Sequence, residues 1–218
     1  MKILSSIILL VMLMPIIGCN NAANDEAAKQ ARLDSIARAD SIMRVAEQMR
    51  LDSIKRVKAA EDSATIVRLT PKFRKFKDGF DERMWCESKT APQSLKKSYV
   101  YLYFDVTEPR ARNLRMKIQY AAADWVLFDF VHFYIDGKTY TVDCFEPKRD
   151  NSADWVWESY DFGHPDNSLL KAMYNAESVK VKYEGDDESS IRTLSEKELK
   201  AIKETIDLYN AMGGDVKL

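Results

Sequence analysis

Histidine and cysteine are the side chains best suited to catalysis or metal binding near neutral pH, and this chain has two histidines and three cysteines. His132 falls in the middle of an alternating segment, where it faces Thr141 across a hairpin and reads as a hydrogen-bonded strand residue. His164 lies in Asp161-Phe162-Gly163-His164-Pro165-Asp166, so two carboxylates flank an imidazole in turn-rich sequence. Such a set can serve acid–base or metal chemistry, and a hydrolase or metal-dependent enzyme using His164 with Asp161 or Asp166 is one reading. A solvated loop is the commoner use of this composition. The Asp-Phe-Gly stretch has no Gly-rich loop or catalytic-loop motif beside it, and no G-x-S-x-G, H-E-x-x-H or Walker pattern occurs. Asp150-Asn151-Ser152-Ala153-Asp154 begins like a calcium loop but places Trp155 where glycine is required. The sequence therefore assigns no catalytic residue, no metal ligand and no cofactor.

Aromatic side chains offer stacking instead. Three sets stand out: Tyr99/Tyr101/Tyr103, Phe128/Phe130/Tyr134 and Trp155/Trp157. Exposed, they would suit a protein, peptide or glycan ligand. The alternative is that an amphipathic helix near the C-terminus covers one of these faces and turns it into core, and such a helix does need a partner face.

These residues must be positioned by alternating strands. Ser98–Thr107 puts Val100, Leu102, Phe104 and Val106 on one face and Tyr99, Tyr101 and Tyr103 on the other. Asn113–Ala121 repeats the pattern, with Leu114, Met116, Ile118 and Tyr120 opposite Arg115, Lys117 and Gln119. Asp136-Gly137 between alternating runs predicts a two-residue turn pairing Phe133 with Tyr140, Val131 with Val142 and Asp129 with Cys144. Further strands are expected at Trp155–Tyr160 and Val179–Tyr183. Asp166 or Asn167 can cap a short helix through Leu169, Leu170 and Met173. Ser195 with Glu198 forms a capping box for a longer helix striped by Leu199, Ile202, Ile206 and Tyr209 and ended by Gly213-Gly214. The expected fold is α+β: a long N-terminal helical stalk, then a mainly antiparallel, sandwich-like β domain over 71–218 packed by the C-terminal helix.

The first 72 residues contain no aromatic side chain, and no Gly or Pro interrupts the run from Cys19 to Thr70. Residues 22–64 are rich in strong helix formers. Arg32-Leu33-Asp34-Ser35-Ile36-Ala37-Arg38 recurs 18 residues later from Arg50 to Arg56, five helical turns on, with a partial copy from Asp40 to Arg44. Each copy sets Asp four residues before Arg, predicting the pairs Asp34/Arg38, Asp40/Arg44 and Asp52/Arg56. A broken apolar stripe through Leu33, Ile36, Met43, Leu51 and Ile54 allows weak self-association, and a purely structural stalk oligomer is a further reading. The net charge of −1 gives no electrostatic footprint for nucleic acid.

Met1-Lys2, an apolar run from Ile3 to Ile17, and Ile16-Ile17-Gly18-Cys19 resemble the signal and lipobox of bacterial lipoproteins. The run is too short to span a bilayer as a helix. The resemblance implies a signal peptide over 1–18, cleavage by signal peptidase II and acylation of Cys19 with palmitate-type chains. A lipid-anchored stalk over 19–70 would follow. Multiple chains give stable anchoring to a membrane, and Asn20 favours the outer membrane of the cell envelope. In an oxidising compartment Cys86 and Cys144 either form a disulfide or remain two buried thiols. The hairpin Phe133–Val142, Trp155-Val156-Trp157 and Arg192-Thr193-Leu194-Ser195 also resemble an uncharacterised domain of bacterial secreted proteins, which implies no activity. The expectation is a non-enzymatic binding or interaction module displayed on a lipid-anchored stalk.

Overall fold

In the computed structural model of the chain the described residues are 22–77, 79 and 82–218, so the signal segment and Cys19 lie outside them. The chain divides into two compact units, Met1–Lys55 and Arg56–Leu218. Helix α1, Ala22–Leu69, supplies the described part of the first unit and opens the second. It forms because nothing in its sequence interrupts the backbone ladder, and it stops where Pro71 enters a 3-10 turn over Thr70–Lys72. The expected Asp/Arg pairs do not close among the described residues. Asp34 and Asp52 instead accept from Gln30 and Gln48, each at 3.0 Å, and the ion pairs present are Glu47–Arg50 and Lys58–Asp62. A hydrogen bond from a neighbouring amide competes well with an exposed ion pair that is stabilised by under about 1 kcal/mol. The apolar stripe from Leu33 to Val57 is exposed, whereas Leu69 is fully buried and Ile66 packs against the core of the second unit.

Among the described residues the second unit holds ten strands in two antiparallel sheets: β1 Phe73–Lys77, β2 Met84–Ser88, β3 Tyr99–Asp105, β4 Arg112–Ala122, β5 Phe130–Ile135, β6 Lys138–Asp143, β7 Lys148–Asn151, β8 Val156–Gly163, β9 Lys180–Glu184 and β10 Ser189–Thr193. The larger sheet runs β1-β2-β3-β4-β8-β7 and the smaller β10-β9-β5-β6. Helices α2, Asn167–Asn175, and α3, Glu196–Ala211, complete this α+β sandwich. The Asp136-Gly137 turn has positive φ at both residues, and β5 pairs β6 in the expected register, Phe133 with Tyr140 and Val131 with Val142.

The main core joins the two sheets and both C-terminal helices: Val100, Leu102 and Phe104 of β3, Met116 and Ile118 of β4, Val131 and Phe133 of β5, and Ile202 and Ile206 of α3. Asp166 caps α2 by accepting from the Ser168 and Leu169 N–H groups. Ser195 and Glu198 form the capping box of α3. Glu198 is buried and does more. Its carboxylate accepts from both terminal nitrogens of Arg192 at 2.9 and 3.0 Å, from Ser195 N and Oγ at 2.9 Å, and from Val100 N at 3.2 Å. Burial would raise its pKa, but these donors, Arg192 foremost, outweigh that and hold the carboxyl below its ordinary value.

A second buried carboxylate ties the crossover from β4 to β5. Glu158 is fully buried, accepts from the N–H groups of Val126, Leu127 and Phe128 at 2.9–3.0 Å, and pairs with Arg149 at 3.3 Å. Leu127 takes a left-handed φ of 53° in this turn, and Gly185 packs so close that a Cβ there would stand 2.1 Å from the Val126 carbonyl oxygen.

Candidate functional site

Strand alternation decides what the larger sheet shows on its other side. Cross-strand neighbours share a face. Arg74 stands opposite Glu87, Glu87 opposite Tyr103, and Tyr103 opposite Arg115. One step along, Tyr101 faces Lys117 and Lys117 faces Asp161; next, Tyr99 faces Gln119, Gln119 faces Ser159 and Ser159 faces Lys148. All of these but Tyr99 line a groove of about 1010 Å³ across the outer face of the sheet.

The helix α3 does not cover this face. It packs on the Val100–Leu102–Phe104 side, where Tyr209 meets Phe104 edge-on at 5.4 Å. The expectation of burial beneath the helix is therefore corrected, and so is that of a flat, open tyrosine platform. Tyr99, Tyr101 and Tyr103 are 2, 7 and 9% exposed and form a second small core with Trp85 and Ala91. Their rings follow one another at 6.3 and 6.1 Å, and Trp85 packs edge-on to Tyr103 at 5.1 Å. Neighbouring strand β2 and the segment beyond it bury the rings, while Tyr101 and Tyr103 still line the groove.

Two charge pairs stiffen its walls. Arg115 Nε donates to the Tyr103 hydroxyl and to Asp161 Oδ1, both at 2.9 Å, and Tyr103 donates to the Asp161 carboxylate at 2.7 Å. Arg74 Nε donates to Glu87 at 2.7 Å and its Nη2 to the Ala91 carbonyl at 3.0 Å. Burial pushes the Tyr101 and Tyr103 hydroxyls well above the usual phenol range, helped at Tyr103 by its bond to Asp161, so both remain protonated donors. Burial works against the Arg115 charge, but Asp161 more than offsets it and the guanidinium pKa rises.

At the centre two polar side chains are left over. Lys117, half-buried between Tyr101 and Asp161, makes no hydrogen bond or ion pair among the described residues. Gln119 is 2% exposed, and its Oε1 is a buried acceptor with no partner among the described residues. A buried acceptor without a donor carries a desolvation penalty of about 1–3 kcal/mol unless something supplies the bond. Among the described residues the groove lining carries Arg74, Lys77, Arg83, Arg115, Lys117 and Lys148 beside Glu87, Glu146 and Asp161.

The other candidates fall elsewhere. Trp155 is half-exposed and Trp157 partly buried, and neither lines the groove. Phe128 is fully buried, while Phe130 and Tyr134 are exposed on the smaller sheet. His132 meets Thr141 Oγ1 at 2.9 Å and Glu184 at 2.7 Å, as a hydrogen-bonded strand residue would. His164 is exposed at a left-handed φ of 54°, but the two carboxylates expected beside it are spent: Asp161 on Tyr103 and Arg115, Asp166 on the cap of α2. No group of three metal-binding side chains occurs among the described residues. Cys86 and Cys144 are free and buried rather than bonded. Cys86 belongs to β2 in the larger sheet and Cys144 follows β6 in the smaller, and both face the main core as small apolar groups. Burial pushes their thiols up to about 11 and about 12.

Sequence reasoning missed Arg74, Lys117, Gln119 and Lys148 as site residues. On β4 the alternating Arg115-Lys117-Gln119 set looks like any solvent face. The one available signal is that its strand partner offers three tyrosines there instead of further polar residues. Comparison with models of protein families, with curated proteins and with solved structures finds no match to this chain. No helix among the described residues is long and apolar enough to cross a membrane.

Proposed function

We propose that the chain is a lipid-anchored envelope protein whose β sandwich binds an envelope partner or extracellular ligand in the basic groove of the larger sheet, without transforming it. The observation that carries this reading is the contrast within the groove. Its walls are held by closed ion pairs, while Lys117 and Gln119 keep unused hydrogen-bonding capacity at the centre. Pre-organised walls around unsatisfied polar groups are what a binding site needs, because little ordering remains to be done when the ligand arrives. In the groove Arg74 is paired with Glu87, and Arg115 and the Tyr103 hydroxyl with Asp161. The anchor rests on the lipobox ending at Cys19.

Two measurements test the proposal. Cys19→Ser should abolish labelling by a fatty-acid analogue and release the chain from membranes; partition like the wild type refutes the anchor. For the groove, the detergent-solubilised mature chain is melted with fractions of envelope material. A ligand at one hundred times its Kd adds about 2.7 kcal/mol of stability. Lys117→Glu should remove that shift. A shift of full size in Lys117→Glu refutes the groove as the site.

A further inference from the structure

We infer that the groove takes an anionic oligosaccharide, one carrying carboxylate or sulfate beside free hydroxyls. The inference deepens the binding-module reading and rests on it. Two independent observations point to such a ligand. The first is charge: Arg74 and Arg115 are neutralised by Glu87 and Asp161, but Lys117 and Lys148 have no acidic partner among the described residues, so an anion is wanted between them. The second is Gln119 Oε1, a buried acceptor that needs a donor. Gln119 lies two residues from Lys117 on the same face of β4, so the ligand must offer a negative group and an O–H or N–H within roughly 7 Å of each other.

Sugars meet that demand at short range, since each ring carries hydroxyls that both donate and accept. The floor of the groove alternates in the same way. Lys117 and the Tyr101 hydroxyl can donate, Gln119 Oε1 accepts, and the Ser159 hydroxyl can do either. An acidic peptide fits less well. Its backbone seeks a strand edge, and the floor of this groove lies on β2, β3, β4 and β8, each paired on both sides, while the edge strands β1 and β7 line its two ends through Arg74, Phe76, Lys77 and Lys148. The flanks add apolar surface suited to the C–H face of a sugar ring: Phe76 on β1 is 38% exposed, and Phe145, before β7, is 77% exposed. A volume of about 1010 Å³ is large enough for several rings.

The test titrates the detergent-solubilised full mature chain, by calorimetry and by Trp fluorescence, with hexagalacturonate, a sulfated dextran oligomer, neutral maltohexaose and hexaglutamate. The expected result is saturable binding of one or both acidic sugars, at least about tenfold tighter than maltohexaose or hexaglutamate and weakened by salt. Whichever acidic sugar binds identifies the anion. Lys117→Met and Gln119→Leu should each weaken that binding about tenfold or more, as loss of a charge-assisted or buried hydrogen bond does. Gln119→Leu should not lower the melting temperature, because it removes an unsatisfied group, so lost binding there cannot be blamed on unfolding. Hexaglutamate binding as tightly as either sugar, with the same sensitivity to Lys117→Met, overturns the saccharide while leaving the groove a binding site. No binding of any probe overturns the inference, and the envelope-fraction melts then decide separately whether the groove binds at all. Acidic-sugar binding unchanged in both variants overturns it too.

Discussion

Removing Glu198 should cost this domain more than any surface change, and the structure sets the amount. Glu198→Ala leaves Arg192 without its carboxylate at a site where the guanidinium is only 21% exposed. Breaking one side of a buried pair typically costs about 3–5 kcal/mol. Arg192 keeps its bond to the Tyr183 hydroxyl at 3.1 Å and some contact with water, which argues for the lower end. The Val100 N–H also loses its acceptor, adding roughly 1 kcal/mol. The N-cap is partly spared, because Ser195 Oγ still accepts from N3. The sum is about 3–4 kcal/mol, or roughly a 10 °C fall in Tm for a unit of this size. Urea and thermal melts of wild type, Glu198→Ala and the double variant Arg192→Met/Glu198→Leu measure it. The double variant should recover part of the loss, since no charge is then stranded. The acid limb gives a second reading. The folded carboxyl lies below its ordinary value of 4.5, so its contribution is complete above that pH and is lost as pH falls through the folded value. Glu198→Gln should flatten stability across that range. If Glu198→Ala melts within 1 kcal/mol of wild type, or the double variant is no better, the buried pair is not what docks α3 against β3.

Three further outcomes follow from the packing. Tyr101→Ser should cost about 2–4 kcal/mol by urea melt, because a ring seated between Tyr99 and Tyr103 leaves a cavity, whereas Tyr101→Phe should stay within about 0.5 kcal/mol. Gly185→Ala should destabilise by 2 kcal/mol or more, since its Cβ would meet the Val126 carbonyl at 2.1 Å and displace the turn that Glu158 holds; a neutral result would refute that close approach. Cys86 and Cys144, with thiols near 11 and 12, should resist Ellman's reagent in the native chain at pH 8 and react promptly in denaturant, with no reductant needed beforehand.

Much of the architecture was legible because certain signals are local. The Ser195/Glu198 capping box, the Asp136-Gly137 turn and the alternation in β3 and β4 each lie within a few residues, and the structure carries all of them. Strands β1, β2, β7 and β10 escaped notice: Phe73–Lys77, Lys148–Asn151 and Ser189–Thr193 are short, charged or polar segments at sheet edges, and Met84–Ser88 is an inner strand of five residues buried on both faces, so it shows no alternation. The groove was hidden for a different reason. Arg74, Tyr103, Arg115 and Asp161 lie far apart in sequence, and only the strand order brings their side chains together. Nor does an amphipathic helix reveal which face of a sheet it covers. α3 chose the Val100 face, and the tyrosines were buried by their own neighbours instead.

Strands β3 and β4 carry two messages interleaved. On β4 the even positions Leu114, Met116, Ile118 and Tyr120 are written into the core, and the odd positions Arg115, Lys117 and Gln119 into the groove. Because adjacent side chains leave the backbone in opposite directions, a change at Lys117 or Gln119 is insulated from the packing behind it. The same scaffold can therefore exchange one recognition alphabet for another without being redesigned. If the groove binds a ligand as proposed, duplicated copies of this chain would be expected to diverge at the odd positions of β4 while their even positions stay apolar, sharing a shape and differing in what they hold.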